Sequence, residues 1–65
     1  MEKERAKQYI GKKIELVRMD DPQAPPRGTK GEVWHVDDRG QLHVRWENGS
    51  GLALIPGIDK FIVLS

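Results

Sequence analysis

Turn signals recur at short intervals in this chain, and they constrain its fold more than any other feature. Asp38-Arg39-Gly40, Asn48-Gly49 and Pro56-Gly57-Ile58-Asp59 leave segments too short for packed helices but long enough for strands of about five residues. Glycine and asparagine at these places supply the unusual backbone angles that tight turns need. The segments between them alternate apolar and polar side chains, the period of a half-buried strand. Ile14 and Leu16 alternate with Lys13, Glu15 and Val17 in a first strand. Residues 29–37 form a second. Residues 41–47 form a third, with Leu42, Val44 and Trp46 on one face and His43, Arg45 and Glu47 on the other. Residues 51–55 form a fourth with Leu52 and Leu54 inward, and 60–64 a fifth with Phe61 and Val63 on one face.

Two stretches fall outside this pattern. Residues 2–9 hold good helix formers, with Lys3–Lys7 and Glu4–Gln8 at helical spacing, but eight residues sustain a turn or two at most before Gly11. Between the first two strands, Met19-Asp20-Asp21-Pro22-Gln23-Ala24-Pro25-Pro26-Arg27-Gly28 excludes a central strand and favours a stiff, polyproline-like path. A helical extension over 1–11 thus precedes a strand domain over 12–65.

Five short strands joined by hairpins predict an all-β fold, a small five-stranded barrel of the SH3-like kind that closes on itself and leaves no long edge. The expected lining is Ile14, Leu16, Val33, Val36, Leu42, Val44, Trp46, Leu52, Leu54, Ile58, Phe61 and Val63. Gly31, Gly49 and Gly51 suit bends where a side chain would crowd a neighbouring strand. Val33 and Val36 cannot both face inward on an unbroken strand, because side chains alternate. A bulge between them, leaving Trp34 outside, resolves the conflict.

Composition narrows the function. At 65 residues the chain buries a thin core, with no cysteine for a disulfide or thiolate metal site and little room for an enclosed active site. A net charge of +1 lacks the field of a basic nucleic-acid binder. The opening MEKERAKQYIGKK has no apolar core of a signal peptide, and no segment has the roughly 18 apolar residues of a membrane span. Lack of cysteine fits a reducing compartment, so a cytoplasmic location is expected. Ser50 and Ser65 have no base and orienting acid in register, and no glycine-rich loop leads into a helix. Neither catalysis nor a cofactor is expected.

Three strings carry a resemblance: Val17-Arg18-Met19-Asp20-Asp21-Pro22-Gln23-Ala24-Pro25-Pro26-Arg27-Gly28-Thr29-Lys30-Gly31-Glu32-Val33, the run from Val36 to Leu52, and Leu54-Ile55-Pro56-Gly57-Ile58-Asp59-Lys60-Phe61. From Lys12 onward the chain resembles the domain-of-unknown-function family 4314. That family is met mainly in phages, prophages and mobile elements of bacteria and has no established activity. The resemblance implies a phage or mobile-element context and no chemistry. The pattern Gly-Xaa-Val, acidic turn, Val-Xaa-Trp-Xaa-Asn-Gly is also similar to SH3-like domains of mind-bomb-type ubiquitin ligases, which supports the barrel and transfers no partner.

The candidate surface is therefore exterior. The loop offers Met19, Asp20, Asp21, Pro22, Pro25, Pro26 and Arg27 as a pre-organised acidic and apolar edge. An exposed Trp34 beside it, with Arg45, would anchor a protein partner. The bland readings are a proline-stiffened loop with Asp caps and a Trp34 that covers a barrel end. A second reading is nucleic-acid contact through Arg18, Arg27, Lys30 and Arg45, against which Glu15, Glu32 and Glu47 are interleaved. A third is a small molecule, such as a nucleotide signal, held in an oligomer groove. His35 and His43 sit opposite if the hairpin closes symmetrically about Arg39, yet two ligands do not make a zinc site, and the bulge is expected to move them out of register. Asp37-Asp38 read as turn caps, and Asn48-Gly49-Ser50 as a hairpin rather than a glycosylation site.

Overall fold

A computed structural model of the chain describes residues 3–65. The strand periodicity read above yields β1 (Lys13–Arg18), β2 (Lys30–Val36), β3 (Leu42–Trp46) and β4 (Lys60–Val63), in one antiparallel sheet ordered β3-β2-β1-β4. The sheet is open and has four strands, not the closed five-stranded arrangement expected. Residues 51–55 pair with the β3 backbone at the Leu42–Leu54 bridge alone, where each amide donates to the other's carbonyl at 2.8 Å. Pairing goes no further for a physical reason. The Leu52 carbonyl is taken by the Trp46 indole N–H at 2.8 Å, and beyond Leu54 the chain turns, with Ile58 and Asp59 amides donating to the Ile55 carbonyl.

The alternation decides what is buried. Ile14, Leu16, Val33, Leu42 and Leu54 are sealed from solvent, joined by Val36, Val44 and Trp46. Each contributes about 1.5–3 kcal/mol relative to exposure. A register shift between Val33 and His35 marks the bulge, so Val33 and Val36 both point inward and Trp34 stands outside, 49% exposed. Four expected core members are not core. Leu52 and Phe61 are half-buried, Val63 is 45% exposed and Ile58 is 73% exposed. Phe61 instead meets the Tyr9 ring edge-on at 5.3 Å. The tight turn at Pro56-Gly57, with Gly57 at φ 90°, throws Ile58 outward.

Lys3–Ala6 (α1) runs into a 3₁₀ turn over Lys7–Tyr9, and Gly11 at φ 86° ends it; Met1 and Glu2, included in the expected extension, lie outside the described residues. The lysines at helical spacing, an unfavourable like-charge pair, are each drawn to an acid instead, and Glu4 pairs with Lys7 rather than Gln8. Lys7 bonds Glu4 at 3.3 Å, while Lys3 reaches Asp38 across the fold. Ala6 is fully buried in the core, a member the periodicity could not reveal.

Only one of the three strand glycines is crowded. A methyl on Gly31 would lie 2.6 Å from Val44 Cγ1 and 2.8 Å from the Arg45 carbonyl oxygen, whereas a methyl on Gly49 or Gly51 would meet nothing within 4 Å. Gly49 serves its turn instead, at φ 86°, with its amide on the Trp46 carbonyl. Among the described residues no non-glycine has positive φ, so Asn48 acts through its side chain, which accepts the Ser50 amide at 3.1 Å.

Candidate functional site

The loop between β1 and β2 is built of two turns rather than a continuous polyproline path. Asp21 accepts the Gln23 amide on its carboxylate and the Ala24 amide on its carbonyl, each within 2.9 Å. The Pro26 carbonyl accepts both the amide and hydroxyl of Thr29, and Gly28 ties back to Leu16 at 2.8 Å. Pro22, Pro26 and Arg27 are exposed, but Pro25 is buried, so Pro22 and Pro25 do not form one accessible face. Met19 packs against the core edge, and Asp20 accepts a hydrogen bond from Arg18 Nε at 3.2 Å.

Two distant segments line an open groove of about 340 Å³: Met19, Asp20 and Asp21 from one, and Leu52, Ala53, Ile55, Ile58 and Asp59 from the other, together with Gln41. The second segment is braced by Asp59, whose carboxylate accepts the Ile55 amide at 2.8 Å. Asp20 and Asp21 keep acceptor capacity toward solvent, since a carboxylate offers about four lone-pair sites. The lining therefore mixes apolar side chains with three carboxylates. Ile58, Leu52 and Asp59 were not among the expected site residues. The signal was Pro56-Gly57, a turn that ejects the next side chain.

Trp34 and Arg45 come together elsewhere. The Arg45 guanidinium stands 5.5 Å from the Trp34 ring centroid, a cation–π contact. They line a separate depression with His43, Val44, Trp46, Gly49, Ser50 and Gly51, which shares no residue with the loop groove. The expected surface is thus two surfaces. Of the basic set, Lys30 and Arg45 share a third groove with Glu32 and Glu47, while Arg18 is engaged by Asp20.

The hairpin turn after β2 is the most constrained polar element. The Asp37 carboxylate accepts the Arg39 and Gln41 amides at 2.9 and 3.0 Å and contacts His43 Nε2 at 3.1 Å. Its pKa is lowered, chiefly by the Gln41 amide. Asp38 is lowered by its hydrogen bond from Lys3, and Lys3 is raised in return. His35 and His43 do face each other, with ring centroids 5.2 Å apart. The bulge falls on the Trp34 side of His35 and leaves the end of the hairpin symmetrical, contrary to the expected displacement. No group of three or more potential metal ligands occurs among the described residues, and no described helix is long and apolar enough to cross a membrane.

Comparison with known proteins gives one match. The model of the family described as Domain of unknown function (DUF4314) matches residues 1–64, so the likeness extends through the N-terminal helix. No curated protein and no solved structure matches the chain.

Proposed function

The chain belongs to the DUF4314 family, and from that premise we propose that it is a non-catalytic binding module whose partner is a protein. The groove between residues 19–21 and 52–59 takes a short extended segment bearing an apolar side chain next to a lysine or arginine. One observation carries this reading: Ile58, 73% exposed, lines a depression that Asp20 and Asp21 line as well. An exposed isoleucine on a braced turn gives an anchor little rotamer entropy to lose, and the carboxylates select a cation beside it. The order in which 52–55 flanks β3, followed by β2, β1 and β4, supports an SH3-like arrangement with its fourth strand reduced to a single bridge. The expected setting is the cytoplasm of a cell carrying a phage or mobile element.

Selection of a displayed random-peptide library on the immobilised protein tests the reading. Enriched peptides share an apolar residue adjacent to Lys or Arg, and Ile58→Asp weakens them by about 10- to 100-fold, the loss of one buried aliphatic side chain. Enrichment of acidic peptides, or unchanged affinity for Ile58→Asp, contradicts it.

A further inference from the structure

β4 is the last strand of the sheet, and its outer edge is open. The Leu64 amide donates to the Lys13 carbonyl at 2.8 Å. With the register Ile14–Val63, Glu15–Ile62 and Leu16–Phe61, this makes Glu15–Ile62 a hydrogen-bonded pair and Ile14–Val63 and Leu16–Phe61 non-hydrogen-bonded ones. The other side of β1 agrees: Leu16 bonds Thr29 and Val33 bonds Lys12, both toward β2. The main-chain N–H and C=O groups of Phe61 and Val63 therefore point away from the sheet. No other described backbone or side-chain group bonds them. Ile62, Val63 and Leu64 are 45–48% exposed. The edge is short and Lys60 guards its start, but residues 61–64 carry no charge and no proline, so nothing beyond Lys60 blocks a strand from pairing there.

We infer that this edge pairs with the same edge of a second copy of the chain, antiparallel, with Ile62 on the two-fold axis. Pairing Phe61 of each copy with Val63 of the other is the register that engages both outward residues of both copies. It sets Ile62 against Ile62 on the outer face and places Lys60 opposite Leu64, so no like charges face each other. A shift of two residues in either direction leaves one outward residue of each copy beyond the β4–β4 ladder. A second copy fits better than an unrelated strand because the edge is its own complement, in hydrogen bonds and in apolar side chains alike. The dimer is weak. A standard interface takes about 800 Å² from each partner, nearly a fifth of this chain's 4376 Å², and a four-residue edge offers less. The groove of residues 19–21 and 52–59 contains no β4 residue, so dimerisation and peptide binding are separable.

Sedimentation velocity from low micromolar to millimolar concentration reads the association directly. The chain's mass is expected to rise from one copy toward two, and Ile62→Lys, at a half-exposed position, abolishes the rise. The register is read by cross-linking, since the natural sequence has no cysteine. Under oxidised glutathione, Ile62→Cys forms a disulfide dimer more than about tenfold faster than Leu64→Cys. The axial pair lies near 4.5 Å between Cα atoms, while two copies of residue 64 are about 13 Å apart, beyond disulfide reach. A mass that stays at one chain through millimolar concentration overturns the inference, as do equal cross-linking rates for the two cysteine variants. Protection of the Phe61 and Val63 amides only on adding another protein's strand assigns the edge to that occupant and also overturns it.

Discussion

Replacing Gly31 with alanine is the sharpest test of how the sheet packs. Gly31 faces Trp46 across the β2–β3 ladder. The Glu47 amide on the Lys30 carbonyl makes Gly31–Trp46 a non-hydrogen-bonded pair, the kind that brings side chains closest. A methyl at Gly31 meets Val44 Cγ1 at 2.6 Å, the Arg45 carbonyl oxygen at 2.8 Å and Trp46 Cε3 at 3.0 Å. The valine can rotate, but the carbonyl belongs to the ladder with Glu32 and cannot retreat without opening it. Overpacking of this kind costs about 1–3 kcal/mol. Against it stands a gain of at most about 1 kcal/mol, because alanine has fewer unfolded conformations to lose. The net expectation is a loss of about 1–2 kcal/mol. With a urea slope near 1 kcal/mol/M for a chain this small, the midpoint falls by about 1–2 M, and Tm falls by about 4–16 °C. Gly51→Ala is the matched control: its methyl meets nothing within 4 Å and its φ is not positive, so stability stays level or rises slightly. Equal midpoints for the two variants, or a stabilised Gly31→Ala, would refute the packing described here.

Other outcomes follow from single residues. Leu54→Ala removes a fully buried side chain and costs about 2–5 kcal/mol, visible as loss of most of the cooperative urea transition. With Trp46→Phe only the exposed Trp34 remains, and with Trp34→Phe only the buried Trp46. Iodide should therefore quench the first variant strongly and the second weakly, and the reverse pattern contradicts the bulge. Asp37 and Asp38 titrate below their ordinary range in the folded chain. Their stabilisation is complete above the unfolded aspartate pKa, about 3.9, and is lost as pH falls through the lower folded values. Urea midpoints measured from about pH 5 down to pH 2 should decline, and less steeply for Asp37→Asn. Lys3 titrates above its ordinary value, so its contribution holds below the unfolded lysine pKa and is lost as pH rises through the folded one.

The strands were legible where one face is buried and the period is two, as in Ile14-Leu16 and Leu42-Val44-Trp46. The bulge was legible because Val33 and Val36 have incompatible parity, and no local rule other than an inserted residue reconciles them. What escaped the sequence depends on contacts between distant residues. The 51–55 strand is truncated by the Trp46 indole taking the Leu52 carbonyl, and local alternation carries no trace of that bond. Ile58 reads as a core residue by hydropathy, yet the turn before it decides its direction. His35 and His43 stay opposite because the bulge precedes His35, a placement that parity alone leaves open between residues 33 and 36. Of the candidate groove, Met19, Asp20 and Asp21 were singled out by proline and charge spacing. The second lining segment lies more than thirty residues away in the chain and needed the fold to bring it near.

Chemical-shift mapping of the ¹⁵N-labelled protein with a selected peptide reads out the binding groove residue by residue. Perturbations are expected to concentrate on Met19, Asp20, Asp21, Ile55, Ile58 and Asp59, with Trp34 and Arg45 unmoved. Shifts centred on Trp34, His43 and Arg45 with a silent 52–59 turn would contradict that expectation.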